Sequence, residues 1–74
     1  MRRSEFDRAV AAEFGGRGAA LVDDLTLAPL GDRTARQALA DGESPRAVWM
    51  ALCVEADVPE GRRYGVGHLD PRGR

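Results

Sequence analysis

GDRTARQALADGESPRAVWMALCVEADVP, residues 31–59, holds two helix starts, one helix stop and one apolar helix face in under half of the chain. Thr34 is placed to cap a short helix, and Gln37 completes a T-x-x-Q capping box. Ala35 to Ala40 is therefore expected to be helical, with Ala38 and Leu39 facing inward. Asp41-Gly42 ends that helix. Ser44-Pro45 starts another: Ser supplies the cap, and Pro fits the first helical position, where its missing N–H costs nothing. This helix is expected to run to about Ala56. Val48, Trp49, Leu52, Cys53 and Ala56 fill one of its faces, and Val58-Pro59 closes it.

Upstream, Ser4 reads as the cap of a first helix, with Asp7 in its electropositive first turn. Phe6, Val10 and Phe14 recur every four residues beside Ala9 and form one apolar stripe. Gly15-Gly16 stops the helix. A second helix is expected from Gly18 to near Leu27, because Pro29 cannot continue it and biases Ala28 away from helical angles. Gly31 and Asp32 make the turn that follows. Beyond Pro59 the composition changes. EGRRYGVGHLDPRGR carries four Gly and four Arg and no continuous apolar face, so residues 60–74 are expected to form a disordered tail. The fold expected is all-α: one small domain, residues 1–59, built as a bundle of three to four short helices with a flexible C-terminal tail.

Seventy-four residues bury a low fraction of their surface. Stability of ~0.05–0.15 kcal/mol per residue gives the whole fold about 4–11 kcal/mol. Chains of this size often add disulfides, a metal or a partner. Cys53 is the single cysteine and His68 the single histidine, so an internal disulfide and a closed zinc site are both excluded. No cofactor is expected, and a partner protein or a second copy of the chain remains an option. The lone thiol, the absence of an apolar run of eighteen residues and the charged N-terminus MRRSEFDRAV point to a cytoplasmic protein without a membrane partner.

All eleven basic residues are Arg, which fits a GC-rich coding bias. Residues 4–59 hold five Arg against ten Asp or Glu, while both ends are basic. An acidic core with basic ends is unlike a groove-reading DNA binder, which needs a basic face. Arg2, Arg3, Arg62 and Arg63, with Arg72 and Arg74, could still contact phosphates as flexible arms. A helix-turn-helix around Asp41-Gly42-Glu43 would offer only Arg46 to a base or phosphate, beside two acidic residues that repel DNA.

The remaining chemical candidates have bland readings. Cys53 is a small buried hydrophobe, far in sequence from His68. Asp23-Asp24 is a solvated helix face, and two carboxylates do not make a calcium cage. Gly15-Gly16-Arg17-Gly18 lacks the strand before it and the Lys-Ser/Thr after it that a phosphate loop requires. Nothing assembles a nucleophile, a base and an oxyanion site, so neither an enzyme nor a small-molecule substrate is expected. Trp49 belongs to the core stripe and is its expected centre. Met50 and Val54, four residues apart, share a face displaced from that stripe. They widen the apolar sector of the helix, as a core flank or as a protein interface.

Several spaced elements carry a resemblance: Ser4-Glu5-Phe6, Phe14-Gly15, Leu30-Gly31 with Arg33-Thr34, Gln37-Ala38-Leu39-Ala40, Gly42-Glu43, Val48-Trp49 with Ala51 and Cys53, and Val58-Pro59. Over residues 1–59 the chain resembles a family of small actinobacterial proteins of unknown function, often encoded beside the RecA recombinase and its modulator RecX. The resemblance implies an all-helical cytoplasmic protein with a link to recombination or repair, and it supplies no catalytic residues. The chain departs from the family pattern at Arg3, Asp7 and Pro29. It also has Met50 and Val54 where charged residues are usual, which suggests a relocated surface patch. The expected role is a non-enzymatic helical interaction module acting through the Met50–Val54 side; the alternative is a nucleic-acid accessory protein using its Arg-rich ends.

Overall fold

The computed structural model describes residues 1–63. Among these residues four α-helices surround one core: α1 (Arg3–Phe14), α2 (Gly18–Asp24), α3 (Ala35–Ala40) and α4 (Pro45–Glu55). Between α2 and α3 lies a two-stranded antiparallel ladder, β1 (Thr26–Leu27) and β2 (Arg33–Thr34), in the register Thr26 to Thr34 and Leu27 to Arg33. The expectation of an all-α chain is corrected by this ladder: the fold is mostly helical with a small sheet. Three single turns of 3-10 helix complete it, at Gly15–Arg17, Ala28–Leu30 and Glu60–Arg62.

The helices form where sequence and capping agree. Thr34 Oγ1 accepts from the Gln37 N–H at 3.1 Å, and Ser44 Oγ accepts from the Ala47 N–H at 3.1 Å. Both satisfy backbone donors that a helix start leaves open. The C-termini of α3 and α4 close alike. The Glu43 N–H donates to the Ala38 carbonyl and the Gly42 N–H to that of Leu39. The Val58 N–H donates to the Cys53 carbonyl and the Asp57 N–H to that of Val54. These paired bonds are Schellman closures, which need a left-handed residue after the helix. Gly42 (φ 99°) takes that place after α3, and Asp57 (φ 62°) takes it after α4. Asp tolerates this region better than bulky or β-branched residues do. Val58 is thereby turned under the bundle and buried.

Three sequence expectations change. Ser4 does not cap α1; the N-cap is Arg2, two residues earlier, and Glu5 Oε1 accepts from the Arg2 N–H at 2.6 Å instead. Helix α2 stops at Asp24, not near Leu27, because the chain extends at Leu25 (ψ 120°) to pair as β1. That exchange buries Leu27 fully. Residues 60–63 fold back onto the core, while residues 64–74 of the expected tail lie outside the described residues.

Trp49 sits at the centre, 1% exposed. Phe6 and Phe14 from α1 meet its ring edge-on, with centroids 6.5 and 6.4 Å away, an arrangement that the ring quadrupoles favour. Its indole Nε1–H donates to the Arg63 carbonyl at 2.7 Å, which satisfies a buried donor and ties down the end of the described chain. Ala9, Leu27, Ala35, Ala38, Val48, Leu52 and Cys53 complete the fully buried set. Gly18 lets α2 approach α1: a Cβ there would stand 2.6 Å from Val10 Cγ1.

Candidate functional site

Among the described residues, helix α4 stays apolar around most of its circumference. Between Arg46 and Glu55 it carries no charge. At 100° per residue, Val48, Trp49 and Leu52 point one way, and Ala47, Met50 and Val54 fall within about 60° of each other on the opposite side. Burial follows that division. The first set is buried; Ala47 is exposed, Met50 is half-buried at the core edge, and Val54 is 53% exposed. Among the described residues Val54 is the large hydrophobic side chain left in water. The structure thus places Met50 and Val54 on one outward strip and adds Ala47 to it.

Charged groups border the strip. Glu55 is engaged, its Oε1 accepting the Ala28 N–H at 3.1 Å, which fixes the 3-10 turn against α4. Arg46 at one end and Asp57 at the other are exposed, with no ion pair to either among the described residues.

The four arginines that could contact phosphates are not equivalent. Arg2 and Arg3 are exposed at the start of α1, with Arg3 Nε 3.3 Å from Asp7 Oδ1. Arg62 and Arg63 are drawn into the fold. Arg62 pairs at 3.0 Å with Glu13, whose side chain is only 11% exposed. Arg63 Nε donates to the Val58 carbonyl at 2.9 Å. Arg72 and Arg74 lie outside the described residues, as does His68.

Elsewhere, side chains that invite chemical readings are occupied in holding the fold. The Cys53 thiol is fully buried, and burial pushes its pKa up to about 11 against a small opposing effect of Arg63. A neutral, enclosed thiol is a poor nucleophile. Asp23 Oδ1 takes the Arg36 Nε–H at 2.7 Å, and this bond holds the carboxyl below its ordinary range. Arg33 is a three-way staple. Its Nε donates to the Leu30 carbonyl at 2.8 Å, one terminal nitrogen to Asp41 at 3.0 Å, and the other to Glu43 at 2.7 Å. These bonds hold the guanidinium more firmly protonated than usual, the Glu43 bond most. Arg33 joins the 28–32 loop to the α3–α4 turn. The acids expected to repel DNA at that turn are therefore partly neutralised by it.

Sequence reasoning missed this staple because its three acceptors lie 3, 8 and 10 residues away and follow no helical or strand period. The legible signal is an Arg two residues after the turn glycine, ahead of a D-G-E helix stop.

Residues 1–61 match the family model described as Protein of unknown function (DUF3046). The chain belongs to this family. No curated protein and no solved structure matches it. In this DUF3046 chain the elements that carried the resemblance have structural roles. Gly31 takes a left-handed turn (φ 68°), Arg33 is the staple, Thr34 caps α3, and Gly42 and Glu43 form the closure that Arg33 grips. Val48, Trp49, Ala51 and Cys53 are core. In the DUF3046 fold these motifs build the scaffold, and the outward strip of α4 lies outside them.

Proposed function

We propose that this chain is a non-enzymatic protein-docking module whose docking face is the outward strip of α4, centred on Met50 and Val54. The observation that carries the reading is that α4 is apolar on both sides while its outward side is only partly covered: Met50 reaches the core edge, and Ala47 and Val54 are exposed. A helix that is apolar nearly all round is normally enclosed on all sides. Apolar surface grouped in one place, rimmed by charges such as Arg46 and Asp57, has the composition of a contact site. The small size of the domain adds to this, since covering the strip would add burial to a fold of only about 4–11 kcal/mol.

The cytoplasm and a role near recombination or repair form part of the same proposal, taken from the resemblance. Among the described residues no helix is long and apolar enough to cross a membrane.

The test is Met50→Glu with Val54→Glu, compared with wild type by circular dichroism and by affinity capture from the native host, with and without DNA damage. The expected result is unchanged helicity and loss of the captured protein. Capture that survives both substitutions overturns the docking face. Capture that responds to nuclease but not to these substitutions favours the Arg-rich ends instead.

A further inference from the structure

The charges at the two ends of the strip point to a particular occupant. Arg46 precedes the first turn of the strip, and Asp57 follows its last, eleven positions on, at the left-handed residue just beyond α4. Both are exposed, and neither is in an ion pair among the described residues. A strip that is small and apolar in the middle, positive at one end and negative at the other complements itself when turned end for end.

We propose that the outward face of α4 docks on the same face of a second copy, antiparallel, about a two-fold axis near the middle of the helix. The proposal rests on the docking reading above and names its partner. In this register Met50 of each copy meets Val54 of the other, and Arg46 of each copy meets Asp57 of the other. The positions match: 46 with 57 and 50 with 54 share nearly the same midpoint. A parallel pairing would instead set Arg46 against Arg46 and Asp57 against Asp57, like charges that repel. A head-to-tail arrangement would not close, whereas the two-fold uses one patch twice and does.

The side chains suit such a contact. Ala47 lets the backbones approach, Met50 adapts its shape, and Val54 is already rigid. Between Arg46 and Glu55 the helix carries no polar side chain apart from the buried Cys53 thiol and the Trp49 indole, which is already bonded, and Glu55 already holds the Ala28 N–H at the edge. An eleven-residue helix is about 16 Å long, so the interface falls at the small, transient end of the range. A contact of that size is expected to be weak, and ~10–500 µM is the range in which association is sought.

Sedimentation analysis of the full chain at low ionic strength tests this. Wild type is expected to show a monomer–dimer equilibrium in that range, and Val54→Glu to remain monomeric with unchanged helicity. Arg46→Glu alone and Asp57→Lys alone each turn two attractive contacts into repulsive ones and should weaken the dimer about 5–30-fold. Mixing the Arg46→Glu chain with the Asp57→Lys chain should restore association, because every end-to-end contact in the mixed dimer is again between opposite charges. Thermal melts confirm that each variant is folded, since Asp57 occupies a left-handed position.

A wild-type chain that stays monomeric to ~1 mM overturns the inference. So does a dimer whose strength is untouched by either charge reversal. If the wild type is monomeric but Met50→Glu with Val54→Glu still abolishes capture of a host protein, the second copy is ruled out while the docking face stands. If neither association nor capture responds, both fail.

Discussion

The two faces of α4 have nearly the same composition and opposite fates. Inward, Val48, Trp49, Leu52 and Cys53 are sealed against α1, α3 and Val58. Outward, Ala47, Met50 and Val54 project toward solvent or lie at the core edge. Hydrophobicity alone does not separate them. The partition is decided by what the rest of the chain brings: two Phe rings from α1, Leu27 from the ladder and a carbonyl from Arg63 all converge on the inward side. The inward face therefore accounts for the fold, and the proposed docking function falls to the outward face. Substitutions on each face measure how complete that division is.

The largest effect should come from Trp49→Ala. Removing a buried aromatic of this size costs about 3–5 kcal/mol. Against a total of ~4–11 kcal/mol, this removes from about a quarter to all of the stability at 25 °C. Trp49→Phe keeps most of the apolar volume and loses the bond to the Arg63 carbonyl. It should cost less and should expose the 60–63 turn to proteolysis before the rest. A Trp49→Phe protein with unchanged cleavage near Arg62 would show that this turn is held by other contacts.

Leu52→Ala is next, at about 2–5 kcal/mol from transfer and cavity together, read as a lower urea midpoint. It sharpens the comparison because Leu52 is two positions from Val54 and similar in size. Arg33→Ala should fall below Leu52→Ala and leave the core intact. Its loss frees the loop from the α3–α4 turn and leaves the Leu30 carbonyl without its guanidinium partner. Arg33→Lys should not rescue it, since a single ammonium cannot reproduce the three-way fork.

The thiol of Cys53 gives a pH-dependent measure of the sealed face. Its folded pKa, about 11, lies above the ordinary thiol value. The folded state thus holds the proton more tightly than the unfolded state. The corresponding stability is fully present below the unfolded pKa, near 9, and is lost as pH rises from there through about 11. Urea midpoints should decline over this window, and more steeply than in Cys53→Ala. A disulfide exchange reagent at pH 8 should label the native thiol far more slowly than the urea-unfolded one. Fast native labelling would mean that the inward face opens readily.

Much of this was legible in the chain. Thr34, Ser44-Pro45, Gly15 and Gly42 announce helix ends through local bonds, and the four-residue stripe of α1 and the Trp49 face announce burial. What sequence did not reveal depends on distant pairing. The ladder has two residues per strand, too few for alternation to register, and it exists because Arg33 and the turn at Gly31-Asp32 bring the strands together. The cap of α1 is a backbone N–H gripped from Glu5, which the more familiar Ser4 obscures. The return of residues 60–63 is driven by one indole N–H and by Glu13 on another helix, neither visible in the composition of the tail. The candidate site was half legible: Met50 and Val54 stand out by spacing, whereas the charges at 46 and 57 acquire meaning only once α4 is known to end at Glu55 and to be closed by a left-handed Asp57.

The smallest effect on stability should be the most informative about function. Val54→Ser removes an apolar side chain that is already half in water, so the folded monomer loses little that it had buried. The change should stay within about 0.5 kcal/mol, as for surface substitutions without special contacts. The same substitution two positions away, Leu52→Ser, would place an unpartnered hydroxyl in the core and should unfold the protein. If Val54→Ser proves as costly as a core change when measured on dilute protein, the outward strip is part of the monomer's own packing. If its cost is small when dilute and grows with protein concentration, Val54 is buried by association. Stability linked to assembly rises with the concentration of the partner, whereas stability from a monomer's own core does not. Comparing unfolding midpoints at ~5 µM and ~500 µM, spanning the expected dissociation constant, separates these cases.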